Sequence, residues 1–93
     1  MESFLSFCRS VEGQELPTIG GQGKFLVHLA PGGVEYTLLS NNKHRRQSQA
    51  NIETVLDRFD KTGSFITTGY LDLTGCVSYI LRLIKRYVKS GGG

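Results

Sequence analysis

Residues 24–39 read KFLVHLAPGGVEYTLL, and this stretch decides the fold because it predicts a β-hairpin. Residues 24–29 and 34–39 each place apolar side chains at alternate positions, which is the period of a strand with one buried face. The tetrapeptide APGG between them predicts a turn, because proline fixes φ at one central position and glycine accepts a positive φ at the next. A lone hairpin is not stable in water, so other elements must cover its apolar face.

Three amphipathic segments predict the helices that supply this cover. Residues 3–11, 49–60 and 75–89 each repeat apolar side chains at the i, i+3, i+4 and i+7 spacing of one helix face. Ser48 is placed to cap the start of the second helix, and Gly63 is placed to end it.

These elements predict a small two-layer α+β domain, in which an N-terminal helix and the β-hairpin pack with two C-terminal helices. Residues 64–70 also favour a short third strand, although Gly69 weakens that prediction. We expect residues 1–89 to form a single domain and residues 90–93, which read SGGG, to form a flexible tail.

The composition is that of an ordinary globular chain with a mild excess of positive charge. Eleven Lys and Arg against eight Asp and Glu give a formal net charge of +3, which permits an acidic partner. Cys8 and Cys76 lie among apolar residues and are expected to be buried, reduced thiols. We expect a cytoplasmic protein without a membrane segment, since neither a secretory signal nor a run of about 18 apolar residues is present.

The strongest local concentration of chemistry is a run of consecutive cationic or titratable side chains, here called the basic segment: Lys43, His44, Arg45 and Arg46. We expect it in a polar loop, residues 40–47, just before the second helix. Backbone N–H groups and the helix dipole at that end attract anions, and Arg and Lys both suit phosphate. The basic segment therefore predicts contact with a phosphate or another polyanion.

A second set of cations recurs at i, i+3, i+4 and i+7 on the last helix, here called the basic stripe: Arg82, Lys85, Arg86 and Lys89. This spacing places the four side chains along one helix face. If the stripe and the basic segment share one side of the domain, they form a positive patch wide enough for nucleic acid. The alternative is that both are solvated surface, which is a common role of charged runs.

The last helix also carries more apolar side chains than one core-facing stripe requires. We call the surplus the apolar arc: Tyr79, Leu83 and Tyr87. It leaves room for a homodimer or another protein partner, as does the open edge of a short sheet. A third hypothesis is a small-molecule pocket between the hairpin and the helices, which no specific feature of the sequence supports or opposes.

Catalytic and metal chemistry find little support in the sequence. His28 and His44 are the only ordinary general bases, and no nucleophile motif surrounds any serine. Metal binding would need these histidines together with Cys8 and Cys76, and no pair of them has the local spacing of ligands. We therefore predict a non-enzymatic accessory domain, without metal or cofactor, that binds nucleic acid or another polyanion. The alternative prediction is a protein-interaction or homodimerisation module.

Overall fold

The computed structural model describes residues 2–21 and 23–90. In chain order the elements are α1 (Glu2–Ser10), β1 (Leu16–Pro17), β2 (Lys24–Ala30), β3 (Gly33–Leu38), β4 (His44–Ser48), α2 (Gln49–Thr62) and α3 (Val77–Lys89). A single turn of 3-10 helix, Thr67–Gly69, lies between α2 and α3. The predicted α+β class is confirmed. The glycines of the predicted tail, residues 91–93, lie outside the described residues.

The predicted hairpin is present as strands β2 and β3, which pair antiparallel from Phe25 with Leu38 to Ala30 with Gly33. The last pair, Ala30 with Gly33, flanks a turn made of Pro31 and Gly32. Gly32 has a φ of 78°, a left-handed conformation that glycine adopts without steric cost. The turn therefore uses proline and glycine as the sequence predicts.

The hairpin is the centre of a larger antiparallel sheet with the strand order β1-β2-β3-β4. Neither outer strand is among the predicted elements: β1 has only two residues, and β4 lies where the sequence predicts a polar loop, residues 40–47. The expectation of a loop was wrong because β4 is an edge strand. The side chains of His44, Arg45 and Arg46 are exposed there, so the apolar alternation of a covered strand is missing. Charged side chains are typical of such edges because they discourage pairing with another sheet.

The third strand predicted over residues 64–70 does not form, and this segment is a loop that contains the 3-10 turn. The Tyr70 hydroxyl, which is buried, donates a hydrogen bond of 2.7 Å to the Ser64 carbonyl oxygen. From α2, the Arg58 guanidinium donates to the Gly69 carbonyl at 2.9 Å and to the Asp72 carboxylate at 2.6 Å. A preference for strand depends on a neighbouring strand to pack against, and here loop contacts satisfy the same residues.

Helix α2 begins at the predicted residue and ends at the predicted glycine, although it extends to Thr62, two residues beyond the predicted range of 49–60. The Ser48 side chain accepts a hydrogen bond of 3.2 Å from the backbone N–H of Asn51, which is the N-cap interaction. Gly63 has a φ of 62° and its N–H donates to the Phe59 carbonyl at 2.7 Å, which ends the helix in a left-handed residue.

The core lies between one face of the sheet and the helices. Alternate residues of the two central strands point into it, and the buried residues of these two strands are Phe25, Val27, Val34 and Tyr36. The turn after α1 also covers part of the β2 edge, because the Glu12 carboxylate accepts a 2.8 Å hydrogen bond from the Leu29 N–H. Within residues 2–21 and 23–90, no helix has the length and apolar character needed to cross a membrane.

The apolar arc of α3 belongs to this core. The Tyr79 ring packs against Phe25 of the sheet with a centroid distance of 5.1 Å, and Tyr87 packs edge-on against Phe4 of α1 at 5.4 Å. Leu83 lies between them with 0% of its surface exposed. The predicted partner surface is therefore corrected at Leu83, which the core buries completely, whereas Tyr79 and Tyr87 pack against the core and remain partly exposed.

Candidate anion-binding site

Strand geometry divides the basic segment between the two faces of the sheet. In the β3–β4 register, Arg46 stands opposite Glu35 and Arg45 opposite Tyr36. Because side chains alternate along a strand, Arg46 and His44 share the outer face, which the helices leave uncovered. Arg45 is placed on the helix-covered face, at the edge of the sheet. The segment is therefore not one cluster of cations.

A single carboxylate accompanies the outer half of the basic segment. Glu35 Oε2 lies 3.5 Å from Arg46 Nε, and Glu35 Oε1 lies 4.0 Å from His44 Nδ1. His44 Nδ1 also lies 3.0 Å from the Thr37 hydroxyl. These exposed contacts add little stability, but the carboxylate lowers the local positive charge that an incoming phosphate would meet. Phosphate contact by the basic segment remains a prediction.

The basic stripe, in contrast, stays together on α3 and lines one groove of about 490 Å³. Its four cations form one wall, and the opposite wall comes from α1; the lining residues are Phe7, Val11, Arg82, Lys85, Arg86, Lys89 and Ser90. No ion pair among the described residues includes a member of the stripe. The groove therefore combines four cations with an apolar wall, and we call it the basic groove.

Arg82 is fixed at the start of the groove. Its Nε donates to the Pro17 carbonyl oxygen at 3.0 Å, and its Nη2 lies 3.4 Å from the Thr18 carbonyl oxygen. Two of its five N–H groups thus tie α3 to the end of β1, and the remaining donors and the charge stay at the groove. This half-buried arginine positions the helix as well as contributing charge.

The other three cations are less constrained. Lys85 Nζ lies 5.7 Å from the centroid of the Phe65 ring, within the range of a cation–π contact. Arg86 and Lys89 are exposed in the last turn of α3, where positive charge also offsets the negative end of the helix dipole. Their side chains are available to an anion without breaking an ion pair among the described residues.

The basic segment and the basic stripe do not form the single positive patch that the sequence analysis gave as one possibility. Arg82 is bonded to the end of β1, whereas the segment lies on β4, and these strands are the two edges of the sheet. Three strand spacings, about 14 Å, separate them across the sheet. Of the eight predicted cations, the structure brings four into one groove.

Phe7 and Val11 are the part of the groove that sequence reasoning missed. Both belong to the apolar repeat of residues 3–11, which predicts only a core-facing side of a helix. Val11 is buried, and Phe7 is half-buried against Tyr87 with a ring distance of 5.6 Å. The sequence contains no local signal for their position beside the stripe, since that depends on how α1 packs against α3.

The cysteines lack the environment of reactive thiols. Burial, aided by the nearby Glu12 carboxylate, raises the pKa of Cys8 to about 12. Burial also raises the pKa of Cys76, although a hydrogen bond with Thr74 and the charge of Arg45 act in the opposite direction. A nucleophilic cysteine needs a lowered pKa. In the part of the chain that the structure describes, no group of three or more His, Cys, Asp or Glu side chains is arranged to hold a metal ion.

No protein-family model matches this chain, and neither does any curated protein or any solved structure.

Proposed function

We propose that this domain is a non-enzymatic accessory module that binds a nucleic acid or a similar extended polyanion along the basic groove of α3. The observation that carries the proposal is that four cations without a carboxylate partner among the described residues line one groove. Such contacts hold a phosphate backbone in place and carry no base specificity.

The dimensions of the stripe support an extended ligand. Arg82 and Lys89 are seven positions apart, which corresponds to a rise of about 10 Å along an α-helix. Successive phosphates of one strand advance by about 3.4 Å along a duplex axis, so the stripe matches roughly three of them. The apolar wall offers Phe7 to an unstacked base, the kind of contact that single strands use.

The basic segment is a secondary part of this proposal. Lys43 and Arg45 are exposed and take part in no ion pair among the described residues. They can extend a polyanion track only if the ligand passes round the edge of the sheet. We therefore assign the main phosphate contact to the basic stripe, and we use the basic segment as the charge-matched control in the experiment.

A cytoplasmic location is part of the same proposal. Cys8 and Cys76 are both free thiols and both buried. Proteins of reducing compartments keep their cysteines in this form, which supports the placement.

The experiment is a salt-dependent binding titration of two charge-matched variants. Fluorescence anisotropy with a labelled single strand and a labelled duplex, at several salt concentrations, measures how the logarithm of the binding constant falls with the logarithm of salt. Full use of the four cations of the stripe predicts a slope of about −2.8 for a single strand and about −3.6 for a duplex. Arg86→Gln combined with Lys89→Gln should reduce the magnitude of that slope by about 1.4–1.8.

The control is Lys43→Gln combined with Arg45→Gln, which removes the same net charge from the basic segment. We expect this variant to keep most of the wild-type affinity and slope. Equal losses in the two variants would mean that binding follows net charge only. Unchanged binding in the stripe variant, or no binding by the wild-type protein at low salt, would refute the proposal.

A further inference from the structure

The opposite flank of α3 carries a second concavity that shares no residue with the basic groove. It is a cleft of about 370 Å³ between α2 and α3. Five apolar or aromatic side chains and two acids line it: Leu56, Asp57, Phe59, Asp60, Ile84, Tyr87 and Val88. We call it the acidic cleft. Its volume lies at the small end of the range for ligand sites.

The apolar lining is accessible. Leu56, Phe59 and Tyr87 are half-buried, and Val88 is 39% exposed. Ile84, at 1% exposure, forms the floor. Large apolar side chains that line a concave surface and remain partly exposed gain free energy when another apolar group covers them.

The charge at the rim is negative although the chain as a whole is positive. Asp57 and Asp60 lie at the cleft, and Glu53, one turn earlier on α2, extends the acidic row. No ion pair among the described residues includes these three side chains, even though Lys61 follows Asp57 by four positions. The row therefore presents unpaired negative charge beside an apolar opening.

We propose that the acidic cleft receives a basic, amphipathic segment of a partner protein: a bulky apolar side chain enters between α2 and α3, and Lys or Arg residues next to it pair with the acidic row. Glu53 and Asp60 are seven positions apart, so the row extends about 10 Å along α2. A row of that length suits successive cations on a peptide better than the single head group of a small ligand.

A second copy of this chain is a poorer occupant. A stable dimer buries about 800 Å² on each partner, whereas this cleft admits only one or two side chains. Leu83, which could have enlarged such an interface, is fully buried in the core. This inference is independent of the proposed function, because the cleft and the basic groove lie on different flanks of α3.

The test is an NMR titration of the full chain with two synthetic helical peptides. Both carry leucine and phenylalanine one turn apart on one face; lysines flank these residues in one peptide and glutamates in the other. We expect the lysine peptide to shift the amide signals of Leu56, Phe59 and Val88, and the glutamate peptide to leave them unchanged at the same concentration.

Variants separate the contribution of the acidic row to peptide binding from that of the apolar lining. Asp57→Asn with Asp60→Asn should weaken the lysine peptide by roughly 2- to 30-fold at low salt, the range for two exposed ion pairs. Val88→Asn should weaken it at all salt concentrations, because it makes the lining polar. Arg86→Gln with Lys89→Gln, which disables the basic groove, should leave peptide binding unchanged.

Several outcomes would overturn the inference. These are equal binding of both peptides, signal shifts confined to the basic groove, and an absence of shifts with either peptide. Concentration-dependent shifts of the cleft signals without peptide would assign the cleft to a second copy of the chain, and so would also overturn it.

Discussion

Replacing Tyr36 by Phe should lower the free energy of unfolding by about 1–3 kcal/mol, because it leaves a buried acceptor without its donor. The Tyr36 hydroxyl donates a 2.7 Å hydrogen bond to Gln47 Oε1, and Gln47 is only 3% exposed. Burial raises the pKa of Tyr36 well above its ordinary value, so the phenol stays protonated and keeps donating at any ordinary pH.

The bond is the first in a chain that joins four elements of the fold. Gln47 Nε2 donates to Asn51 Oδ1 at 2.8 Å, and Asn51 Nδ2 donates to the Leu73 carbonyl oxygen at 2.8 Å. Strands β3 and β4, helix α2 and the loop before α3 are thereby connected. The loss should approach the upper end of the range if the chain responds as a unit, since buried polar networks are strongly coupled.

Urea denaturation and thermal unfolding measure the effect, which for a domain of this size is about 4–8 °C in Tm for each kcal/mol. Tyr79→Phe is the matched control, because it removes the same hydroxyl from a half-buried ring that has no part in this network. We expect the control to remain within about 0.5 kcal/mol of wild type.

The double variant Tyr36→Phe with Gln47→Leu tests the reasoning further. It replaces both partners by apolar groups, so it should lose less stability than the sum of the two single variants, with a coupling of about 0.5–3 kcal/mol. The reasoning fails if Tyr36→Phe and Tyr79→Phe lose equal stability, or if the double variant is strictly additive.

Three further predictions concern the core, a surface pair and a thiol. Leu83→Ala should lower the free energy of unfolding, measured by urea denaturation, by about 2–5 kcal/mol, because Leu83 is fully buried. A change near zero would show that Leu83 is not a core residue. A hydrogen bond from Arg58 lowers the pKa of Asp72. The pair therefore stabilises the fold fully at pH values above the ordinary pKa of Asp, and this contribution is lost as the pH falls through the lowered pKa. NMR titration should find the Asp72 pKa raised back to its ordinary range in Arg58→Gln, and an unmoved pKa would contradict the assignment. With a pKa of about 12, Cys8 should resist disulfide reagents at pH 8 until the protein unfolds, and fast labelling of the native protein would refute its burial.

The elements that the sequence predicted well are those whose signals are local. The turn between β2 and β3 needs only proline followed by glycine, and α2 needs only Ser48 before its apolar repeat and Gly63 after it. Each signal acts through backbone conformation or through hydrogen bonds to residues within four positions, so it works without tertiary contacts.

The elements that the sequence missed depend on position within the assembled sheet. The residues of β4 lack the apolar alternation of a covered strand, because β4 lies at the edge of the described sheet beside β3 and its cations are exposed. The apolar arc gave the opposite error at Leu83, which is fully buried, because the packing of α3 against its neighbours could not be read from the sequence. The pairing of Glu35 with Arg46 across two strands was hidden for the same reason.

By itself, the sequence determined the α+β class, the central hairpin and the extent of the helices to within about two residues. It also determined the alignment of four cations on one face of α3. These features follow from the period of apolar and charged side chains and from turn chemistry, which are properties of neighbouring residues. Only the tertiary structure decided which cations share a groove, which apolar side chains remain at the surface, and where unpaired acids meet an apolar cleft. Those outcomes depend on contacts between residues far apart in the chain, and side-chain period carries no information about which element packs against which.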